Sequence, residues 1–351
     1  MELIKESRNW DLRSDTVTKP TAEMLSRMME AQVGDDVFGE DITVKGLEQT
    51  VAKLCNKQAA LFCVSSTMSN QLAIRTHITT APASLIVHRN SHIFQYESGG
   101  ASLLTQAMMV PVLPGSTINL TKADVEKSVI PDNFLYHKAP TKLVCLENTF
   151  SGVVMPLEDI EQIAEMSHGR EIPVHMDGSR LWNASVATGI SLATYANHVD
   201  SLNLCLSKGM GCPVGAMLVG SSEFIDRARH FRKVFGGGWR QAGVLAAAGL
   251  YSIEKIWPTM EESHRLARKL ADGFVEMGFI LALPVDTNMV ILSKGKQFSD
   301  QDFTKLAGEL KPKGIVLGLP YEGSVRIVVH HQITDDCIDS ILQSARSLSS
   351  V

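Results

Sequence analysis

The 351 residues carry a formal net charge of −5 at pH 7, an isoelectric point near 6.1 and a mean hydropathy of +0.04, with 44% hydrophobic and 20% charged residues. That balance excludes a chain dominated by disorder and leaves no general positive field for nucleic acid or an anionic bilayer, so any bound anion must be held by local groups. The length allows two cores of unequal size, and the six cysteines, with no CxxC pair, read as reduced core residues rather than a disulfide framework or zinc site.

The opening MELIKESRNWDLRSD lacks the long apolar run of a signal peptide and carries acidic residues that a mitochondrial presequence avoids, so a cytoplasmic location is expected. Apolar runs elsewhere are too short to span a membrane. Residues 1–18 form a polar segment in which Arg13, Ser14 and Asp15 precede Pro20 with little helical signal. Such a strip can cross the top of a pocket, and its removal is expected to affect substrate binding more than folding.

From about Leu47 to Gly220 two kinds of segment alternate. AALFCV (59–64), SLIV (84–87), MMVPVL (108–113), KLVCLE (142–147), IPVHMD (172–177), LNLCLS (202–207) and GAMLVG (215–220) read as strands buried on both faces. Between them, MSNQLAIRTHI after Thr67 and LEDIEQIAEM, with Ile160, Ile163 and Ala164 on one face, read as helices. The alternation predicts a mostly parallel sheet covered by helices in a large domain, 19–258. After Trp257 and Pro258 the pattern changes: a helix through Leu266, Leu270 and Phe274, a strand in TNMVILSKG, a helix closed near Gly314, a strand in SVRIVVHH and a terminal helix. These make a smaller α/β domain, 259–351, with the boundary between Ile256 and Glu262.

Parallel sheets bind ligands beyond the carboxyl ends of their strands, and Ser65 to Thr67, Glu147, Asp177, Ser207 and Lys208 fall at those ends. Ser65, Ser66 and Thr67 can cap a helix starting near Met68, and its free N–H groups suit a phosphate. Neither GxxxxGK[ST] nor GxGxxG occurs, so nucleotide binding has no phosphate loop. Asp177, before Gly178, can hold a pyridine nitrogen protonated, and Lys208, followed by Gly209 and Gly211, suits a nucleophilic amine that forms a Schiff base. FRKVFGGGWRQAG offers Arg232, Lys233 and Arg240 as anion donors around a triglycine that must pass close to something. A metal site at His175 and Asp177 or at His330 and His331 is disfavoured, because alternation along a strand sends the adjacent histidines to opposite faces.

DLRSDTVTKPT from Asp11, VGDDVFGED from Val33, SSTMSNQLAI from Ser65, SHIFQYESGG from Ser91, LENT from Leu146, HMDGSRLWNA from His175, LSKGMGCPVG from Leu206, GGGWRQAG from Gly236 and VRIVVHH from Val325 follow one another along nearly the whole chain. In this order they resemble the threonine aldolase family, a branch of the fold-type-I, aspartate aminotransferase-like pyridoxal 5'-phosphate enzymes related to the β-eliminating lyases. The resemblance implies that Lys208 is the Schiff-base lysine, Asp177 the ring-nitrogen partner and His92 the residue stacked on the ring. It further implies that Ser66 and Thr67 form the phosphate turn, that Arg180 contacts cofactor or carboxylate, and that Ser14 and Arg326 bind the substrate carboxylate. Arg240 is expected to reach a phosphate across a subunit interface, in a homodimer or homotetramer with shared sites. The implied reaction is retro-aldol cleavage of L-threonine or L-allo-threonine to glycine and acetaldehyde, with His92 or an ordered water taking the β-hydroxyl proton. Tyr96 and Glu97 are candidates for orienting His92.

The sequence departs from the family pattern in Ser66, where glycine is frequent, and in Ser179, where alanine is frequent. It also has Phe150 and Ser151 after Thr149, where relatives place a histidine near the substrate hydroxyl. A weaker hold on that hydroxyl favours the alternative, alanine racemisation, as in fungal proteins that resemble threonine aldolases.

Overall fold

The computed structural model describes residues 10–115, 117–132, 137–293, 299–321 and 323–348. Residues 1–9 of the amino-terminal segment, and Lys294 and Gly295 of the strand expected from Thr287, lie outside them. The strands in chain order are β1 (Trp10–Asp11), β2 (Ala59–Cys63), β3 (Ser84–His88), β4 (Met108–Val112), β5 (Thr141–Glu147), β6 (Val174–Asp177), β7 (Ser201–Cys205), β8 (Ala216–Gly220), β9 (Ile280–Leu281), β10 (Met289–Ser293), β11 (Ile315–Val316) and β12 (Ser324–Val328).

Seven of them form the central sheet in the order β2-β8-β7-β6-β5-β3-β4. β3 to β7 run parallel, and β8 lies antiparallel between β7 and β2. Every residue of β3, β7 and β8 is buried, because helices cover both faces and an apolar run without alternation is what such a strand requires. The LNLCLS strand ends at Cys205, two residues before its expected end, so Ser207 and Lys208 sit on the following turn. The helix after β2 starts at Ser66 rather than near Met68, capped by Ser65 Oγ, which accepts from Met68 N at 3.1 Å.

The second core joins the helix Met260–Glu276, the antiparallel sheet β12-β10-β9 and the terminal helix Asp335–Leu348. Met260 packs in the first core and Leu266 in the second. The helix Asp300–Leu310 opens on a reciprocal Ser299/Asp302 capping box and leads to Gly314 at φ +76°.

The amino-terminal segment is more than a cover for a pocket. β1 pairs in parallel with β11, Leu12 is fully buried in the second core, and Leu12 O accepts from Val328 N at 2.8 Å. Its removal therefore takes a side chain and a strand out of the small domain, a cost to folding beside the effect expected on substrate binding.

Candidate active site

Strand register brings the first residues together. Glu147 pairs with Asp177 and Asp177 with Asn203 across β5, β6 and β7, so three polar side chains line the carboxyl edge of the sheet at one level. Asp177 is buried. Its Oδ1 accepts from Ser179 N at 3.0 Å, Ser179 Oγ at 2.7 Å and Asn203 Nδ2 at 2.9 Å, while Oδ2 accepts from Asn70 Nδ2 at 2.9 Å. Burial pushes its pKa up, but the positive charge of Lys208 and these donors outweigh that and hold the carboxyl below its ordinary value. The serine at 179 thus adds a hydrogen bond that an alanine lacks.

Lys208 sits on the turn after β7, half-buried, with its carbonyl accepting from Thr18 Oγ1 at 2.9 Å and from Gly211 N at 2.9 Å. Its charge acts on Asp177, Asp15, Glu147 and His92 alike, which sets the amine at the centre of the group. Gly211 has φ +76°, and a Cβ there would lie 2.8 Å from His331 Cε1. The turn that presents Lys208 therefore has no room for a side chain at this position.

His92 opens a short helix, His92–Gln95, and its backbone N donates to Glu147 Oε2 at 2.8 Å. Its Nδ1 lies 2.9 Å from Glu97 Oε1, and that hydrogen bond, against some burial, raises the imidazole above its ordinary pKa. With Nδ1–H given to Glu97, Nε2 carries the free lone pair in the neutral ring. Glu147 moves upward to about 7, first because it is buried and second because Asp177 lies near. Of the two candidates for orienting His92, Glu97 does so, whereas Tyr96 is 70% exposed with its ring 5.7 Å away.

Ser14, Arg180 and Arg326 converge from three parts of the chain. Ser14 caps the turn Asp15–Val17. Arg180 donates from Nε and Nη2 to Asp15 at 2.8 and 2.6 Å. Arg326, on β12, has Nη2 3.5 Å from the Arg13 carbonyl; burial and the neighbouring Arg180 guanidinium lower its pKa. Two guanidiniums near enough to repel suit a carboxylate bound beside them.

At the far end, Ser66 and Thr67 begin the helix Ser66–His77, ahead of its first intrahelical hydrogen bonds, and the Ser66 hydroxyl is buried with no protein partner. A phosphate at this terminus would supply that partner and meet the positive end of the helix dipole. The ionised buried carboxylate, the central lysine and this hydroxyl together fit a pyridoxal phosphate.

The triglycine also has a local reason. A Cβ on Gly237 would lie 2.6 Å from Met68 Sδ, and Trp239 packs on Phe62 with ring centroids 4.8 Å apart, so the loop runs against the first turn of the helix Ser66–His77. Arg232 is buried and paired within the chain, with Nη2 2.5 Å from Asp36 Oδ2 and Nη1 2.7 Å from the Phe62 carbonyl, while its Nε has no partner among the described residues. Lys233 is exposed, and Arg240 is 52% exposed and paired with Asp35 at 2.9 Å.

Phe150 packs on His88, with centroids 4.4 Å apart. His330 and His331 lie past the end of β12, so strand alternation does not separate them. His330 Nε2 donates to the Asp11 carbonyl at 2.8 Å, and His331 packs at Gly211. All six cysteines are buried and free. Among the described residues, no helix is long and apolar enough to cross a membrane.

Sequence reasoning missed Asn70, Gln71 and Asn203. They were hidden because each acts through a partner distant in sequence; Gln71 Nε2, for one, donates to Glu97 Oε2 at 2.5 Å.

The family profile described as β-eliminating lyase matches residues 11–295. A low specificity L-threonine aldolase of Saccharomyces cerevisiae is 42% identical over 332 residues, covering 94% of this chain and 84% of that protein. The Leishmania major threonine aldolase structure superposes with a TM-score of 0.80 at 19% identity, covering 97% of this chain and 99% of that one. SPT, solved with PLP, gives a TM-score of 0.75 at 18% identity over 97% of this chain and 87% of that one.

Proposed function

The chain belongs to the threonine aldolase branch of the β-eliminating lyases, and on that premise we propose that it cleaves L-threonine and L-allo-threonine to glycine and acetaldehyde with pyridoxal phosphate. The fold is the fold-type-I, aspartate aminotransferase-like one. The observation that carries the reading is the convergence of Lys208, the ionised and buried Asp177, and the Glu97-oriented His92 on one edge of the sheet.

Bound pyridoxal phosphate supplies an electron sink for the bond that breaks at the substrate α-carbon. Lys208 would tether it through Nζ, Asp177 would face its ring nitrogen, and Ser66 and Thr67 would take its phosphate. Arg180 and Arg326, with Ser14, bind the substrate carboxylate, which fixes which α-substituent stands across the ring. His92 takes the β-hydroxyl proton at Nε2, because Nδ1–H is held by Glu97. Arg240 serves a neighbouring subunit's phosphate in a homodimer or homotetramer. Association is supported by Met29, Phe38 and Ile42, which are 82%, 74% and 56% exposed. We assign the protein to the cytoplasm, in keeping with its six free thiols.

A panel of L-threonine, L-allo-threonine, L-serine and both alanines tests the reaction on the purified protein. Aldehyde and glycine without alanine inversion are expected. Prompt inversion of alanine with negligible aldehyde would replace the aldolase reading by racemisation. Borohydride reduction and peptide mapping should find the label on Lys208.

A further inference from the structure

Asn70 has both amide hydrogens committed to carboxylates: Nδ2 lies 2.9 Å from Glu97 Oε1 and 2.9 Å from Asp177 Oδ2. In the reading above, one of these acids orients the base and the other faces the ring nitrogen. Oxygens of Glu97 and Asp177 fall within 4.8 Å of each other and of a ring nitrogen of His92. Two carboxylates this close repel each other unless a donor lies between them.

The amide is held against inversion. Asn70 Oδ1 meets His175 Nε2 at 3.0 Å, His175 Nδ1 meets Ser201 Oγ at 2.8 Å, and Ser201 Oγ meets His77 Nε2 at 2.8 Å. With neutral rings and Oδ1 as an acceptor, one direction of donation satisfies every link. His77 donates to Ser201, Ser201 to His175, His175 to Asn70, and Asn70 to the two acids. An inverted amide would point its oxygen at both carboxylates. Burial lowers His175 to about 3 and His77 to about 4, which keeps both rings neutral near pH 7.

We infer that Asn70 is a positioning residue, fixed by the His77–Ser201–His175 chain, that bridges Glu97 and Asp177 and so links the proton-accepting histidine to the ring-nitrogen carboxylate. This rests on the roles proposed above for Asp177 and His92. The other titratable groups facing the cluster are Lys208 on the turn after β7, Glu147 and Cys145 on β5, and His175 on β6. Asp177 keeps Ser179, Asn203 and Lys208 when Asn70 is removed, whereas Glu97 keeps Gln71 and His92. Of the two carboxylates, Glu97 therefore loses the larger share of its support.

The test is the titration midpoint of His92, read by proton NMR on the full-length protein with and without pyridoxal phosphate. In Asn70→Ala the midpoint should fall by about one pH unit as the contact of Glu97 with His92 loosens. Cofactor affinity should fall about tenfold. His175→Phe, which leaves Asn70 in place but frees its amide, should move the midpoint the same way by less, and serves if Asn70→Ala does not fold. Lower thermal stability with an unmoved midpoint would make Asn70 structural only and overturn the inference. A wild-type protein that takes up no pyridoxal phosphate would instead sink the site reading, a separate result.

Discussion

The Asp15 carboxylate closes on the Arg180 guanidinium in a two-pronged pair, 2.8 and 2.6 Å, between residues 165 positions apart in the chain. Asp15 is fully buried, and its neighbour Leu12 belongs to the small-domain core. The pair therefore pins a segment rooted in one core onto an arginine of the other.

Asp15→Ala should destabilise the protein by about 3 kcal/mol, since it strands a guanidinium whose side chain is only 15% exposed. Burial raises the Asp15 pKa, but Arg180 outweighs it and brings the group to about 2, below its ordinary 3.8. Its contribution is thus fully present above pH 3.8 and declines as the pH falls toward 2. Urea unfolding of wild type and variant should differ at pH 7 and converge in strong acid. KM for the amino acid should also rise, because Arg180 loses its fixed direction.

Arg232 and Arg240 should respond oppositely to alanine. Arg232 has 3% side-chain exposure and pairs with a 4% exposed Asp36, so Arg232→Ala should cost about 3–5 kcal/mol in stability. Arg240→Ala removes a half-exposed pair worth about 0–1 kcal/mol, and its melting temperature should barely move. Its effect should appear instead as weaker pyridoxal phosphate binding in the assembled protein, measured by fluorescence titration. Unchanged affinity would remove Arg240 from the cofactor site.

The parallel sheet and the residues at its strand ends were legible because buried strands leave unbroken apolar runs. The polar framework was harder. On the helix Ser66–His77 the buried residues include Ser69, Asn70, Gln71 and Thr76, so polarity there does not mark the solvent face. For Asn70 the partners are Glu97 and Asp177, 27 and 107 residues away from it. Arg232 did carry a signal that composition obscured. It shares a helical face with buried Ile225 and Ala228, a spacing that places a charge inward. Likewise Trp10 and Leu12 alternate with Asp11 and Arg13, the period of a strand.

Buried neutral histidines should make the cofactor-free protein acid-sensitive well above the carboxylate range. Burial lowers His77, His264 and His331 from 6.5 to about 4. The unfolded chain therefore binds more protons between those values, and the stability these rings contribute is complete above 6.5 and falls away toward pH 4. A loss on the order of 1–2 kcal/mol per ring is expected by pH 5. Urea midpoints at pH 7.5 and 5.0 measure the sum, and His264→Asn, which removes one titrating ring beside Asn183, should shrink the difference.

Glu97→Gln separates orientation from basicity at His92. Hydrogen bonding to Glu97 is the largest cause of the raised imidazole pKa, so a neutral amide should let that pKa fall toward 6.5. A base works deprotonated, and wild-type kcat should climb as the pH rises through the His92 value. In Glu97→Gln that rise should come at lower pH, even though the plateau is reduced about tenfold or more by a less firmly held ring. An acid limb that stays in place would transfer the role of base to another group, with the ordered water the next candidate. The same limb moving upward would mean that Glu97 does not favour the imidazolium, against the 2.9 Å contact that joins them.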